Sequence, residues 1–389
     1  MKLSIFLPTR NRPKYLFHCL KSFLDLKIDK SQIVVIDEES SAVENINNEL
    51  LSTEEVMSNF PRENFIYEKV KLGTSLQDKF KIYSKNSLNF DYFSMMGDDD
   101  LFLKNEGISK CIEVLNLNKD ISYAVTSSYM FQDFPNAWTR NFILPDNIFK
   151  GEDFLKNFIS IESFQHSTVT GIFRLKNIYK TNTFDSLEKI LRNNLIEGYG
   201  NDTRLYFRNA TCGKIASLGK YQTRAIRFHN SSMTFNSPIE SSYVYYWNII
   251  ENIEYCKNNK INIYEFINYI SYWLKNLLTS HVISTFLYSN ENKKKDLILK
   301  ENNMEFISYI NEQFRIHKIS INKEHNFFFK LNYLIKLIPK WLFIKRKNEH
   351  YIPKNYYQFI IRILPFYIII MILPINLIKK IIKKIIKIL

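Results

Sequence analysis

Short apolar runs alternate with amphipathic segments along the first third of the chain. Runs with strand-like spacing lie at residues 2–7, 32–36, 65–70, 92–96 and 122–126. Between them, apolar positions at helical spacing predict helices that begin near Pro13 and that cover residues 75–88 and 104–117. Strands that alternate with helices over about 125 residues predict an α/β fold with a mostly parallel, doubly wound sheet.

Acidic side chains follow two of these strands at the point where each strand ends. Asp37 and Glu38 follow the run QIVVI, and Asp98, Asp99 and Asp100 follow the run DYFSMMG. The carboxyl ends of parallel strands meet at one edge of the sheet, where open α/β sheets bind ligands. Three adjacent carboxylates in a cleft need a cation or hydrogen-bond donors, and oxygen ligands suit Mg²⁺ or Mn²⁺. The alternative is a solvated turn that caps the next helix.

Other common sites are not indicated. The sequence contains neither GxGxxG nor GxxxxGK[ST], so a dinucleotide fingerprint and a P-loop are both missing. The four cysteines lack CxxC spacing, which argues against a zinc site and a disulfide framework. A phosphate-bearing ligand would therefore be held through a metal ion and side chains. The N-terminal stretch MKLSIFLPTRNRP has no long apolar region, so we expect the catalytic part in the cytoplasm.

The positive charge is concentrated at the C-terminal end. Residues 330–389 contain 13 Lys or Arg and one acid, which accounts for +12 of the net charge of +14. A basic surface over the whole protein is thus not expected, and we predict no nucleic-acid partner. Pro365 and Pro374 interrupt the apolar stretch 359–378, which makes it a marginal spanning helix.

The last residues predict attachment to a membrane. Residues 377–389, LIKKIIKKIIKIL, would form a helix with one apolar and one cationic face, which favours binding to an anionic membrane surface. A basic coil on a protein or nucleic-acid partner is the alternative.

Residues 238–322 have apolar positions at helical spacing. We therefore predict a catalytic domain at 1–235, a helical accessory region at 236–325 and a basic, amphipathic, membrane-associating tail at 326–389.

Three motifs together resemble a known family. The segments SIFLPTRNRPKYL, VVIDEES and DYFSMMGDDD, in this order, resemble the nucleotide-sugar-binding half of family 2 glycosyltransferases with the GT-A fold. The resemblance covers residues 1–235 and implies an α/β fold with a mostly parallel sheet flanked by helices. It implies donor binding by Thr9, Asp37, Glu38 and Asp98, and metal binding by Asp99 and Asp100. The sequence departs from the family pattern at Arg10 and Glu38, where an aromatic residue and Asp are usual.

The stretch EGYGNDTRLYFRNATCGK resembles the segment that supplies the catalytic base in this family. Asp202 is the matching residue, and Glu197 is the second candidate. Arg204 and Arg208 follow at i, i+4 spacing and would lie on one face of a helix. A helix N-cap is the alternative role for Asp202.

Three further positions are assigned from the same resemblance. His229, in RAIRFHNSSMT, matches a histidine near the diphosphate or the metal ion, although a surface position is the alternative. Gly171 matches the small residue beneath the acceptor site, and the nearby His166 is a second candidate there.

The resemblance implies a metal-dependent, inverting glycosyltransferase that uses a nucleotide-sugar donor. The basic tail favours a membrane-proximal or lipid-linked glycan acceptor at the cytoplasmic face of the cell membrane, as in the assembly of cell-surface polysaccharide. One alternative is a GT-A-like nucleotidyltransferase, although residues 8–12 lack the glycines expected after the first strand. A non-catalytic protein that binds the membrane surface is the other alternative.

Overall fold

The structure of the 389-residue chain is a computed structural model. The structure describes residues 2–132, 138–159, 171–184, 201–229, 251–262 and 266. The predicted domain boundaries and the predicted tail at 326–389 lie outside these ranges and stay predictions. No helix within the described ranges has the length and apolar character needed to cross a membrane.

Up to residue 132, strands and helices alternate as the sequence predicted. The structure also contains several strands and helices that the sequence did not predict. The strands are β1 Leu3–Thr9, β2 Ser31–Glu38, β3 Val43–Ile46, β4 Glu49–Ser52, β5 Phe65–Val70, β6 Tyr92–Met95, β7 Leu101–Phe102, β8 Ile121–Gln132, β9 Trp138–Phe142, β10 Asn147–Lys150, β11 Ile172–Arg174 and β12 Lys214–Phe228. The helices are α1 Pro13–Asp25, α2 Thr53–Ser58, α3 Leu76–Asn86, α4 Asn105–Leu117, α5 Gly151–Ile159, α6 Leu175–Lys180 and α7 Asn201–Ala210. A further helical stretch covers residues 251–258.

The main sheet is mixed. Its strands lie in the order β10-β12-β8-β11-β6-β1-β2-β5, with β7 paired to β12 and β9 paired to β8. The pairs β1–β2, β1–β6 and β2–β5 are parallel, as predicted, and β8 is parallel to β12. The strand β11, however, inserts antiparallel between β6 and β8. The sheet is therefore less uniformly parallel than the predicted doubly wound sheet, because β11 runs opposite to both of its neighbours.

Both faces of the sheet are covered. Leu3, Ile5 and Leu7 of β1 pack in one apolar cluster with side chains of α1, α2 and α4. Phe6 points to the opposite face, where it contacts the aromatic ring of Phe80 on α3. The alternation along β1 places successive side chains on opposite faces, which explains why its apolar run is nearly continuous.

The segment between β2 and β5 contains strands and a helix that the sequence pattern did not predict. The strands β3 and β4 form a separate antiparallel hairpin. The helix α2 follows directly and begins with a capping box, in which the Ser52 side chain accepts from the Glu55 backbone and the Glu55 side chain accepts from the Ser52 backbone. The hairpin strands are short and partly exposed, so they lack the buried apolar run that marked the other strands.

Candidate active site

The three consecutive aspartates lie in a tight turn at residues 97–100, which we call the acid turn. It follows β6, and the backbone N–H of Asp100 donates to the carbonyl oxygen of Gly97 at 3.4 Å. A Cβ atom on Gly97 would lie 2.7 Å from Asp99 Oδ1, so a larger residue there would displace the Asp99 carboxylate. Directly after the turn, Leu101 and Phe102 of β7 pair with β12, which draws the end of β12 beside the carboxylates.

The ends of the parallel strands converge as the sequence predicted. Thr9 ends β1 and pairs in register with Asp37 at the end of β2. On its other side, Thr9 Oγ1 donates to Asp98 Oδ2 at 2.7 Å, and this hydrogen bond is buried. Acidic residues from two separate strands thus flank one threonine at a single edge of the sheet. This edge is where open α/β sheets bind ligands.

Basic side chains surround the acid turn. The Arg12 guanidinium lies 3.2 Å from Asp98 Oδ1 and 2.9 Å from Asp99 Oδ2. His229 Nε2 lies 2.8 Å from the same Asp99 oxygen. Arg227 donates its backbone N–H to Asp100 Oδ1 at 3.0 Å and its Nε–H to the Asp99 carbonyl oxygen at 2.9 Å. His229 therefore contacts a carboxylate of the acid turn directly, and its predicted place near a diphosphate or a metal ion stays a prediction.

Burial and charge separate the acidities of the three carboxyl groups. Burial raises the pKa of Asp98 to about 6; the neighbouring Asp99 charge adds to the rise, whereas Arg12 opposes it. Burial also acts to raise the pKa of Asp99, but the His229 hydrogen bond and the Arg12 charge outweigh it and hold that pKa below its ordinary value. Burial, together with the Asp99 charge, raises the pKa of Asp100 well above its ordinary value. Asp99 is therefore the most acidic of the three.

The acidic side chains at the end of β2 accept hydrogen bonds from other parts of the protein. The Asp37 carboxylate is buried and accepts a hydrogen bond from the Tyr67 hydroxyl at 2.7 Å. Glu38 accepts from the backbone N–H of Gly73 at 2.7 Å and from Lys79 Nζ at 2.8 Å. These contacts fasten the loop after β5 to the end of β2. The donor-binding roles of both acids stay predictions.

The described arrangement does not fit a divalent metal ion. Each Asp98 oxygen accepts from the protein, one from Thr9 and one from Arg12. Asp99 Oδ2 contacts both Arg12 and His229. Among the residues that the structure describes, no three His, Cys, Asp or Glu side chains converge in a way that could hold a metal ion. The predicted Mg²⁺ or Mn²⁺ site, with Asp99, Asp100 and His229 as ligands, therefore stays a prediction, and it would require these side chains to rearrange.

The helix that carries Asp202 is anchored by its arginines. Asp202 is the second residue of α7, within its first turn, and its side chain lies outside the described residues. Arg204 Nε lies 2.9 Å from Glu251 Oε2 of the helical stretch 251–258, and both side chains are buried. Arg208 is buried as well and donates to the carbonyl oxygen of Thr181 at 3.3 Å. The i, i+4 arginines share one face as predicted, and that face packs inward.

The remaining predicted residues are only partly described. Gly171 precedes β11, and its carbonyl oxygen accepts from Ser94 Oγ at 2.6 Å. A Cβ atom on Gly171 would lie 2.6 Å from the Phe173 ring, so the position requires a small residue for packing. Glu197 and His166 lie outside the described residues. The catalytic and acceptor roles stay predictions.

Three arginines near the acid turn were not predicted. Arg12 and Arg227 contact its carboxylates or backbone, and the buried Arg224 donates to the Met95 carbonyl oxygen at the end of β6, just before the turn. The signal for Arg12 was its position three residues after Thr9, just before the proline that opens α1. The signal for the other two was weaker, because the pairing of β12 with β7 brings them to the turn from more than 120 residues away.

Comparison with known proteins gives remote structural matches. No family model and no curated protein matches the sequence. Residues 1–349 of S. aureus TarS match with a TM-score of 0.47 at 12% identity, over 75% of this chain and 74% of that one. The same fragment in complex with UDP-GlcNAc gives 0.44 at 12% identity, over 72% and 81%. The mannosyltransferase PcManGT from Pyrobaculum calidifontis, in complex with GDP-Man and Mn²⁺, gives 0.43 at 8% identity, over 80% and 84%. At these levels, the assignment of a function depends on the site itself.

Proposed function

We propose that this protein transfers a sugar from a nucleotide-sugar donor to a hydroxyl group of an acceptor. The observation that carries the proposal is the convergence at Thr9, which pairs with Asp37 on one side and donates to Asp98 on the other. Motifs that are far apart in the sequence thus meet at the ligand-binding edge of an α/β sheet, in the arrangement that the resemblance to family 2 glycosyltransferases implies.

The charges at this edge suit the departure of a nucleoside diphosphate. The leaving group gathers negative charge as the bond to the sugar breaks, and donors that are already oriented stabilise it without reorganising. Arg12, Arg227 and His229 are held beside the acid turn by the contacts described above. These side chains are our candidates for that role.

Asp202 is our candidate for the general base. A carboxylate within hydrogen-bond reach of the acceptor hydroxyl can accept its proton as the oxygen attacks the anomeric carbon. Glu197 is the second candidate for this role, and inversion at the anomeric carbon follows from the resemblance alone.

The acceptor is proposed from the sequence alone. The net charge of +12 over residues 330–389 favours an acceptor that is itself membrane-proximal or lipid-linked, because the enzyme would then lie on the cytoplasmic face of the membrane that holds it. The divalent cation predicted from the sequence stays a prediction and is not part of this proposal.

The test is a donor panel with the full chain and matched variants. Incubation with UDP-, GDP-, CMP- and dTDP-sugars should give a free nucleoside diphosphate or monophosphate from one donor class. Asp202→Asn should lower turnover by roughly 100-fold or more while donor affinity is kept. The control is Asp153→Asn, which removes an exposed carboxylate from the first turn of α5 and should leave turnover unchanged.

Each contrary outcome has a distinct meaning. A chain that neither binds nor hydrolyses any of these donors refutes the proposed function. A nucleotidyltransferase would instead release pyrophosphate from a nucleoside triphosphate as a sugar 1-phosphate attacks it, so release of pyrophosphate in a parallel incubation with these two substrates would favour that alternative. Full turnover in Asp202→Asn would refute the role of Asp202 and leave Glu197 as the base.

A further inference from the structure

A single nitrogen of Arg12 bridges two carboxylates of the acid turn. Arg12 Nη1 lies 3.2 Å from Asp98 Oδ1 and 2.9 Å from Asp99 Oδ2. The side chains are 22%, 8% and 20% exposed for Arg12, Asp98 and Asp99, respectively, so this is not a solvent-screened surface pair. A cation between two neighbouring carboxylates relieves their mutual repulsion. The guanidinium already does this in the described structure.

The backbone of Arg12 is held in place from both sides. Arg12 is the N-cap residue of α1, and its carbonyl oxygen accepts from the Leu16 N–H at 3.0 Å. The preceding residue, Asn11, has a φ of 54°, and its side-chain oxygen accepts from the N–H of Ser41 at 2.8 Å. The start of α1 is thereby tied to the loop after β2. The guanidinium is directed to the acid turn because the chain is fixed at its base.

The remaining contacts leave little room for a second cation. His229 lies on the Asp99 oxygen that Arg12 contacts, and Thr9 donates to the other oxygen of Asp98. A divalent ion that bound Asp98 would have to share one of its oxygens with Thr9 or with the guanidinium. The repulsion between the guanidinium and a divalent ion on the same carboxylate would be large, because the site is partly buried.

We propose that Arg12 is the resident cation of the acid turn and that it excludes divalent metal ions from Asp98 and Asp99. The proposal goes beyond the proposed function, because it concerns the cation that any anionic ligand at this edge would meet. A diphosphate bound there would face a fixed guanidinium, which offers directed hydrogen bonds as well as charge.

The test measures the binding of Mn²⁺ alone to the full chain, by electron paramagnetic resonance of the free ion. The wild-type protein should bind Mn²⁺ weakly. Arg12→Gln should bind it roughly tenfold more tightly or better, because one positive charge is lost beside two carboxylates. In the double variant with Asp99→Asn, the gain should disappear. The matched control is Lys14→Gln, which removes an exposed charge from the first turn of the same helix and should behave as the wild type.

Arg12→Lys separates charge from folding. It keeps a positive charge at the turn and should bind Mn²⁺ as weakly as the wild type; tight binding by this variant would overturn the proposal. Equal Mn²⁺ affinity in the wild type and in a folded Arg12→Gln would also overturn it. So would wild-type binding with a dissociation constant below the order of 100 µM, whatever the state of the variants. Because no nucleotide is present, these results are independent of whether the chain transfers a sugar.

Discussion

Arg224 offers the sharpest prediction about how the acid turn is supported. Its side chain is 2% exposed, and it donates to the Met95 carbonyl oxygen and to Ser94 Oγ, both at 2.6 Å. The guanidinium also lies over the Phe102 ring, 5.1 Å from its centroid. It therefore links β12 to the last residues of β6, immediately before the turn. The perturbation is Arg224→Met, which keeps the apolar stem and removes the charged donor.

The magnitude follows from the two lost hydrogen bonds. A hydrogen bond from a charged donor contributes about 1.5–3 kcal/mol to stability. Removing the arginine also removes the cost of burying its charge, a cost that shows in its pKa, which burial lowers to about 10. Methionine preserves part of the packing on Phe102. The balance predicts a loss of about 3 kcal/mol in the free energy of unfolding.

The assay is urea unfolding of the full chain, followed by far-ultraviolet circular dichroism. The loss in free energy is the shift of the midpoint multiplied by a common slope. Lys220→Met, on the same strand, removes an exposed charge and introduces the same residue, so it should change stability by less than about 0.5 kcal/mol. A loss below about 1 kcal/mol for Arg224→Met would refute the reasoning, because it would mean that the buried hydrogen bonds only offset the cost of burying the charge.

Two further substitutions test the site and its surroundings. Gly97→Ala should lower stability by about 1–3 kcal/mol and weaken donor binding, because the new methyl group would lie 2.7 Å from Asp99 Oδ1; an unchanged melting temperature and unchanged donor affinity would contradict this. Glu251→Gln should lower the free energy of unfolding by about 3 kcal/mol, because it removes the negative charge that lies beside the buried Arg204 Nε. Amide hydrogen exchange over residues 251–258 should accelerate in this variant, and protection equal to the wild type would count against an anchoring role of the pair.

Much of the fold up to residue 132 could be predicted from local pattern. The strands β1, β2, β5 and β6 and the helices α1, α3 and α4 all lie where apolar spacing placed them, within a residue or two. The parallel direction of β1, β2 and β6 followed from the alternation of strands and helices, whereas their order in the sheet was not predicted. The strand β11 could not be predicted, because it has three residues and its antiparallel place between β6 and β8 depends on long-range pairing.

The candidate site divides in the same way. The sequence alone determined that acidic residues lie at the ends of two strands. Because parallel strands end at the same edge of the sheet, Asp37 and Asp98 lie close together, and both are neighbours of Thr9. Only the tertiary structure decided which cations meet those acids. Arg12 arrives through the start of α1, and Arg227 arrives because β7 pairs with β12. The local sequence pattern predicts which residues follow the end of a strand. The neutralisation of a buried charge depends instead on side chains from chain segments that are distant in sequence.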